Sequence, residues 1–286
     1  MSNGEINIDA FMPPQMANRA EAIGIKKAHL DFWTMFSLAI LAGAFVGAGA
    51  VFFTTTTTGA ADKLAYGVTR MLGGLAFCLG LILVIVAGAE LFTGNNLIVM
   101  AWANRKVCTR LLLRNWGIVY AGNFVGALLT AVLVFYSQQY TFGSDSVGAN
   151  ALSIANAKVN LGFTQALVLG ILCNALVCMA VWLCYSARST TDKILAIIFP
   201  VTAFVAAGFE HSIANMYFIP MGLFIKAGAP PEFWAKIGKT AADYGNLTWD
   251  RFLINNLLPV TIGNIIGGAG LVGLAYWFAY LRTQND

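Results

Sequence analysis

Ala207-Gly208-Phe209-Glu210-His211-Ser212-Ile213-Ala214-Asn215 lies within a run, 194–225, that is apolar apart from Glu210 and His211. As one unbroken helix this run would be about 50 Å long at 1.5 Å per residue. That is too long for one crossing of about 30 Å of hydrocarbon and too short for two with a turn. An interrupted crossing resolves the mismatch. The run 71–104, apolar apart from Glu90, poses the same problem. Thr, Ser, Asn and Gly compete for or release helical backbone bonds, so the interruptions are expected at Thr93-Gly94-Asn95-Asn96 and at Glu210-His211-Ser212 through Asn215.

The two runs also match each other. Ala87-Gly88-Ala89-Glu90 with Asn95 five residues on corresponds to Ala207-Gly208-Phe209-Glu210 with Asn215. A second correspondence joins the apolar segments that follow: Asn115, Gly122-Asn123 and Gly126 against Asn256, Gly263-Asn264 and Gly267. Four further spans read directly at 30–53, 109–137, 162–187 and 252–281. The expected fold is therefore an all-α integral membrane protein of six spans, built as a 3+3 inverted repeat with two interrupted helices. Such repeats place the substrate path near the bilayer midplane, between the breaks.

Composition agrees. Of 286 residues 58% are hydrophobic and 10% charged, against roughly a quarter charged in soluble domains. No Asp, Glu, Lys or Arg occurs in 32–61, 115–144, 159–187 or 252–281. The net charge of +4 comes from residues in short connections, with no basic stripe interleaved with aromatics, so nucleic acid is not an expected partner. Lys and Arg in the tails and even-numbered connections total ten against seven elsewhere, which puts both termini in the cytoplasm. The expected organisation is a cytoplasmic segment over 1–29, read either as a surface amphipathic helix or as a frayed tail, a channel domain over 30–282 and a cytoplasmic tail over 283–286. No secretory h-region precedes the first span, so that span is expected to serve as the targeting signal. The cysteines, with no C-x-x-C pair, read as small hydrophobes, and no metal or cofactor is expected.

Ionisable groups deep in apolar sequence are costly, so Glu90, Glu210 and His211 are the first candidates for a site. The two glutamates occupy equivalent positions before the breaks and are expected to support the loops structurally. His211 has no counterpart, since Leu91 takes its repeat position, and Thr93 is likewise opposed by Ile213. This asymmetry singles out His211 for chemistry, with Thr93 offering a hydroxyl from the facing break. The Gly43/Gly47, Gly122/Gly126 and Gly263/Gly267 pairs are expected to allow close helix packing. With one deep histidine, no H-E-x-x-H and no G-x-S-x-G, an enzyme is not expected.

At G-F-E-H-S-I-A-N-M (208–216), A-E-L-F-T-G (89–94), K-V-N (158–160) and N-L-L-P-V-T-I-G-N-I-I-G-G (256–268), the chain resembles the formate-nitrite transporter family, and within it the bacterial formate channels. The resemblance implies an aquaporin-like fold and a homopentamer in the bacterial inner membrane with one pore per subunit. It implies substrate contacts at His211, Thr93, Lys158, Asn174 and Asn264, and apolar constrictions at Phe77, Leu81, Leu91, Phe92, Val177 and Phe204. Formate channels of the family often carry Ser or Thr after the first-break Thr, where this chain has Gly94-Asn95-Asn96. The expected activity is passage of formate and similar small monovalent anions, as passive efflux near neutral pH and proton-linked uptake in acid through His211. Lys158 would gather anions at the outer mouth, and nitrite or hydrosulfide is the alternative substrate.

Overall fold

The computed structural model describes residues 9–60 and 63–283. It is helical, with no strand among the described residues. Five helices are long and apolar enough to cross a membrane: α2 (Phe32–Thr57), α3 (Tyr66–Ala87), α6 (Thr109–Tyr136), α8 (Phe163–Ser186) and α12 (Arg251–Tyr280). Four of them lie within a few residues of the spans read directly, and α3 forms the incoming part of the interrupted run 71–104, beginning five residues ahead of it. Between them come α1 (Pro13–Ala28), the short pieces α4 (Phe92–Asn95) and α5 (Val99–Ala103), and α7 (Ser146–Val159). The halves of the second interrupted run are α9 (Thr190–Ala206) and α10 (Ser212–Gly228), and α11 (Pro231–Ile237) follows.

The helix ends follow local chemistry. Asp31 accepts the N–H of Thr34 and opens α2. At α9, Ser189 and Asp192 form a reciprocal capping box. Gly88 closes α3 in the left-handed region at φ +84, and Gly208 follows α9 at φ +78, a conformation that favours glycine.

These two glycines relocate both interruptions. The unwound residues are 88–91 and 207–211, whereas Thr93–Asn96 and Ser212–Asn215 are already helical. The expected break positions were therefore a few residues late. The left-handed glycine ends the incoming helix, and the Asn and Ser residues supply the first turn of the outgoing one.

Helices α2 and α6 pack with almost no gap, and so do α8 and α12. A Cβ on Gly43 or Gly126 would run into the backbone oxygen of Asn123 or Ile40, and one on Gly263 or Gly267 into that of Leu167 or Ile171. The small-residue pairs are thus close-packing devices. Helix α1 is docked, with Met16, Ala17, Ala20, Gly24 and Ala28 buried. Four cysteines are buried and Cys108 is exposed, and all five are free. Most of the tail expected over 283–286 lies outside the described residues, as do residues 1–8.

Candidate functional site

Each break is held by the same set of bonds, built from different residues. At the first, Asn123 on α6 accepts the N–H of Phe92 (2.9 Å) and donates to the carbonyls of Ala39 (2.7 Å) and Glu90 (2.9 Å). At the second, Asn264 on α12 accepts the N–H of Ser212 (2.9 Å) and donates to Gly170 (2.8 Å) and Glu210 (3.0 Å). Every amide hydrogen of Asn264 is therefore spent on backbone. Asn174 is also fully buried, and its Nδ2 serves the carbonyls of Thr93 and Asn264 and the Oδ1 of Asn96.

The glutamates are paired in the same duplicated way. Lys27 on α1 lies 2.8 Å from Glu90 and Lys158 on α7 lies 2.7 Å from Glu210. Asn95 and Asn215 donate to the other oxygen of their glutamate, at 2.6 and 2.7 Å. Asn115 and Asn256 reach the carbonyls of Lys27 and Lys158 and accept from Asn95 and Asn215. The breaks correspond by a shift of 120 residues (Glu90 to Glu210), the lysines by 131 (Lys27 to Lys158) and the bracing asparagines by 141 (Asn123 to Asn264). Lys27 on α1 and Lys158 on α7 thus take matching places beside the two breaks. Each glutamate carboxylate accepts from a lysine and an asparagine side chain.

Two cavities open on this frame. One, of about 240 Å³, is lined by Leu81, Leu91, Gly94, Glu90 and the cations Arg19, Lys27 and Lys193. The other, of about 500 Å³, is lined by Phe77, Phe204, His211, Phe218, Glu210, Lys158 and Arg70. Leu81 and Phe77, one helical turn apart on α3, belong to the walls of different cavities. Apolar side chains form the layer between the cavities, and these two residues are about 6 Å apart in rise along that helix. In the second wall Phe77 meets Phe204 edge-on with centroids 5.9 Å apart, and Phe204 stacks on the His211 ring at 6.0 Å.

Across this layer the buried Thr93 Oγ1 and His211 Nε2 are 3.0 Å apart. His211 is the N-cap of α10, and its Nδ1 accepts the N–H of Ala214 at 3.1 Å. With Nδ1 acting as an acceptor, the neutral ring carries its hydrogen on Nε2 and donates it to Thr93. The Thr93 hydroxyl hydrogen is then left to donate to a second acceptor. The pair can offer a small anion one hydrogen bond in otherwise apolar surroundings.

The structure brings His211, Thr93, Phe77, Leu81, Leu91 and Phe204 together at this layer. Phe92 instead packs on Tyr120 and Trp116 (4.9 and 6.2 Å) and lines neither cavity, and Val177 is buried in the general core. Asn174 and Asn264 stand behind the breaks, and Lys158 faces the larger cavity while held by Glu210. Sequence reasoning passed over Lys27 and Arg70. Extending the repeat back from the second half, where Lys158 precedes the fourth span, would have pointed to Lys27.

The family model described as Formate/nitrite transporter matches residues 14–278. The chain belongs to the formate/nitrite transporter family, whose matched members are membrane channels and transporters rather than enzymes. It is 48% identical to the formate channel FocA of Escherichia coli (strain K12) over 97% of both chains. It is 40% identical to the formate channel FocA of Haemophilus influenzae over 95% of each. Among solved structures, a pentameric formate channel with formate bound superimposes with a TM-score of 0.83 at 48% identity, covering 88% of this chain and 98% of that one. An FNT family ion channel matches at a TM-score of 0.77 and 29% identity, covering 92% and 98%.

Proposed function

We propose that this chain is a formate channel of the bacterial inner membrane. The observation that carries the reading is the Thr93–His211 contact, set in an apolar layer between two cavities whose charged linings carry more cations than carboxylates. A carboxylate leaving water loses its hydration, and a narrow passage must replace part of it with fixed donors. Thr93 supplies one such donor beside the His211 ring. The five long helices, together with α9 and α10 as a divided sixth crossing, form a 3+3 inverted repeat. Both termini lie in the cytoplasm, and α1 covers the smaller cavity there. Five copies assemble, each with its own pore.

His211 divides the two directions of transport. Outward movement of an anion is aided by a negative interior, by about 2.3 kcal/mol per charge per 100 mV, and inward movement is opposed by the same amount. Uptake therefore requires a proton, and His211 is the titratable ring at the layer. Efflux runs passively near neutral pH, and uptake in acid is proton-linked. Asn264 and Asn174 act as positioning residues, and Lys158 acts with Glu210 as a unit.

Nitrite and hydrosulfide share the size and charge of formate, so competition decides between them. In proteoliposomes holding the purified pentamer, labelled formate is expected to flow faster than labelled nitrite, and unlabelled nitrite and hydrosulfide to compete weakly. Nitrite flux exceeding formate flux would reassign the substrate, and absence of both would remove the transport reading.

A further inference from the structure

The charged residues lining the larger cavity are Arg70, Lys158 and Glu210. Lys158 and Glu210 are in contact at 2.7 Å, and such a pair has little net field at a distance. The uncompensated charge of the cavity is therefore that of Arg70, which pairs with no carboxylate among the described residues. Its guanidinium lies over the second break. Nε donates to the carbonyl of Ala206 at 3.1 Å, and Nη2 to that of Val205. These are acceptors at the open end of α9, five and six residues ahead of His211. Nη1 has no protein acceptor among the described residues. Two aromatic rings link the cations across the wall: Arg70 is 5.9 Å from the Phe53 ring, Phe53 meets Phe218 at 5.6 Å, and Lys158 is 5.4 Å from Phe218.

We infer that Arg70 is the anion-capturing residue of the larger cavity, holding a monovalent carboxylate through its unused N–H groups before the anion reaches His211 and Thr93. The inference rests on the formate reading. It assigns electrostatic attraction at this mouth to α3, in place of a lone Lys158. A planar fork with spare donors suits a carboxylate better than an ammonium already committed to Glu210. The α9 carbonyls hold the guanidinium in place, so capture costs little side-chain ordering.

The test compares wild type, Arg70→Gln and Arg70→Lys, each reconstituted as the pentamer, in initial rates of labelled formate uptake from the larger-cavity side at acid pH. Formate concentration and ionic strength are varied. Gln retains an amide that can still serve an α9 carbonyl, and Lys retains the charge. The expected result for Arg70→Gln is a rise of roughly three- to tenfold in the half-saturating formate concentration at low salt. Maximal flux should stay within about twofold, the salt dependence should flatten, and Arg70→Lys should recover most of the loss. Saturation curves for Arg70→Gln that coincide with wild type would overturn the inference. So would a fall in maximal flux alone, with unchanged salt dependence, because that marks a helix cap and nothing more. A wild-type protein passing no formate would instead overturn the functional reading, and that arm is read first.

Discussion

Replacing Asn264 by Ala removes three hydrogen bonds: one accepted from the N–H of Ser212 and two donated, to Gly170 and Glu210. Gly170 lies inside α8, where its carbonyl keeps the ordinary helical partner. Two groups are left stranded in a buried site, the Ser212 N–H and the Glu210 carbonyl. An orphaned buried group costs about 1–3 kcal/mol, whereas side-chain hydrogen bonds between membrane helices average only about 0.6 kcal/mol. The lower figure reflects chains that find other partners, which an unwound loop between two helix ends does not offer. The expected loss is therefore about 2–4 kcal/mol, seen as a lowered midpoint in reversible unfolding of the reconstituted protein. Asn123→Ala strands the equivalent Phe92 N–H and Glu90 carbonyl, while Ala39 keeps its bond within α2. The two variants should agree within about 1 kcal/mol. A loss at or below about 0.6 kcal/mol in both would refute the claim that these amides hold the breaks.

Lys27→Gln leaves Glu90 with Asn95 as its remaining side-chain partner. Because Lys27 is 26% exposed, the expected destabilisation is about 1–3 kcal/mol, below the range for fully buried pairs. A double-mutant cycle with Glu90→Gln should recover at least half of it, and no recovery would count against the pairing. Gly263→Ala drives a methyl group into the Leu167 carbonyl and should cost about 1–3 kcal/mol or more. Gly117→Ala, which meets nothing, should fall within about 0.5 kcal/mol of wild type in the same unfolding assay.

Much of this architecture is legible in the sequence because lipid leaves the backbone few choices. Uncharged stretches long enough to cross gave helix limits within a few residues, and the repeated Ala-Gly-x-Glu with Asn five positions on located both breaks. The error of a few residues at each break has a local cause. Thr, Ser and Asn weaken helices in general, yet at Thr93–Asn96 and Ser212–Asn215 they initiate them, and the turn itself falls to Gly88 and Gly208. The site was half visible. His211 and Thr93 stood out by breaking the repeat, whereas Asn264 and Asn174 could not be told from pore-lining amides, because their backbone partners come from other helices. Lys27 lay hidden in a segment read as a surface helix, since its role depends on α1 folding against a break 63 residues away. Arg70 gave no signal at all, for an arginine beside a loop is ordinary until the cavity it faces is known.

In the proposed mechanism the ring of His211 is the point where a proton joins the anion's route. Formate flux through His211→Phe, measured in both directions in one proteoliposome preparation at neutral and at acid pH, addresses this directly. Outward flux at neutral pH should persist while acid-driven uptake disappears. Equal loss in both directions, or uptake that survives the substitution, would contradict it.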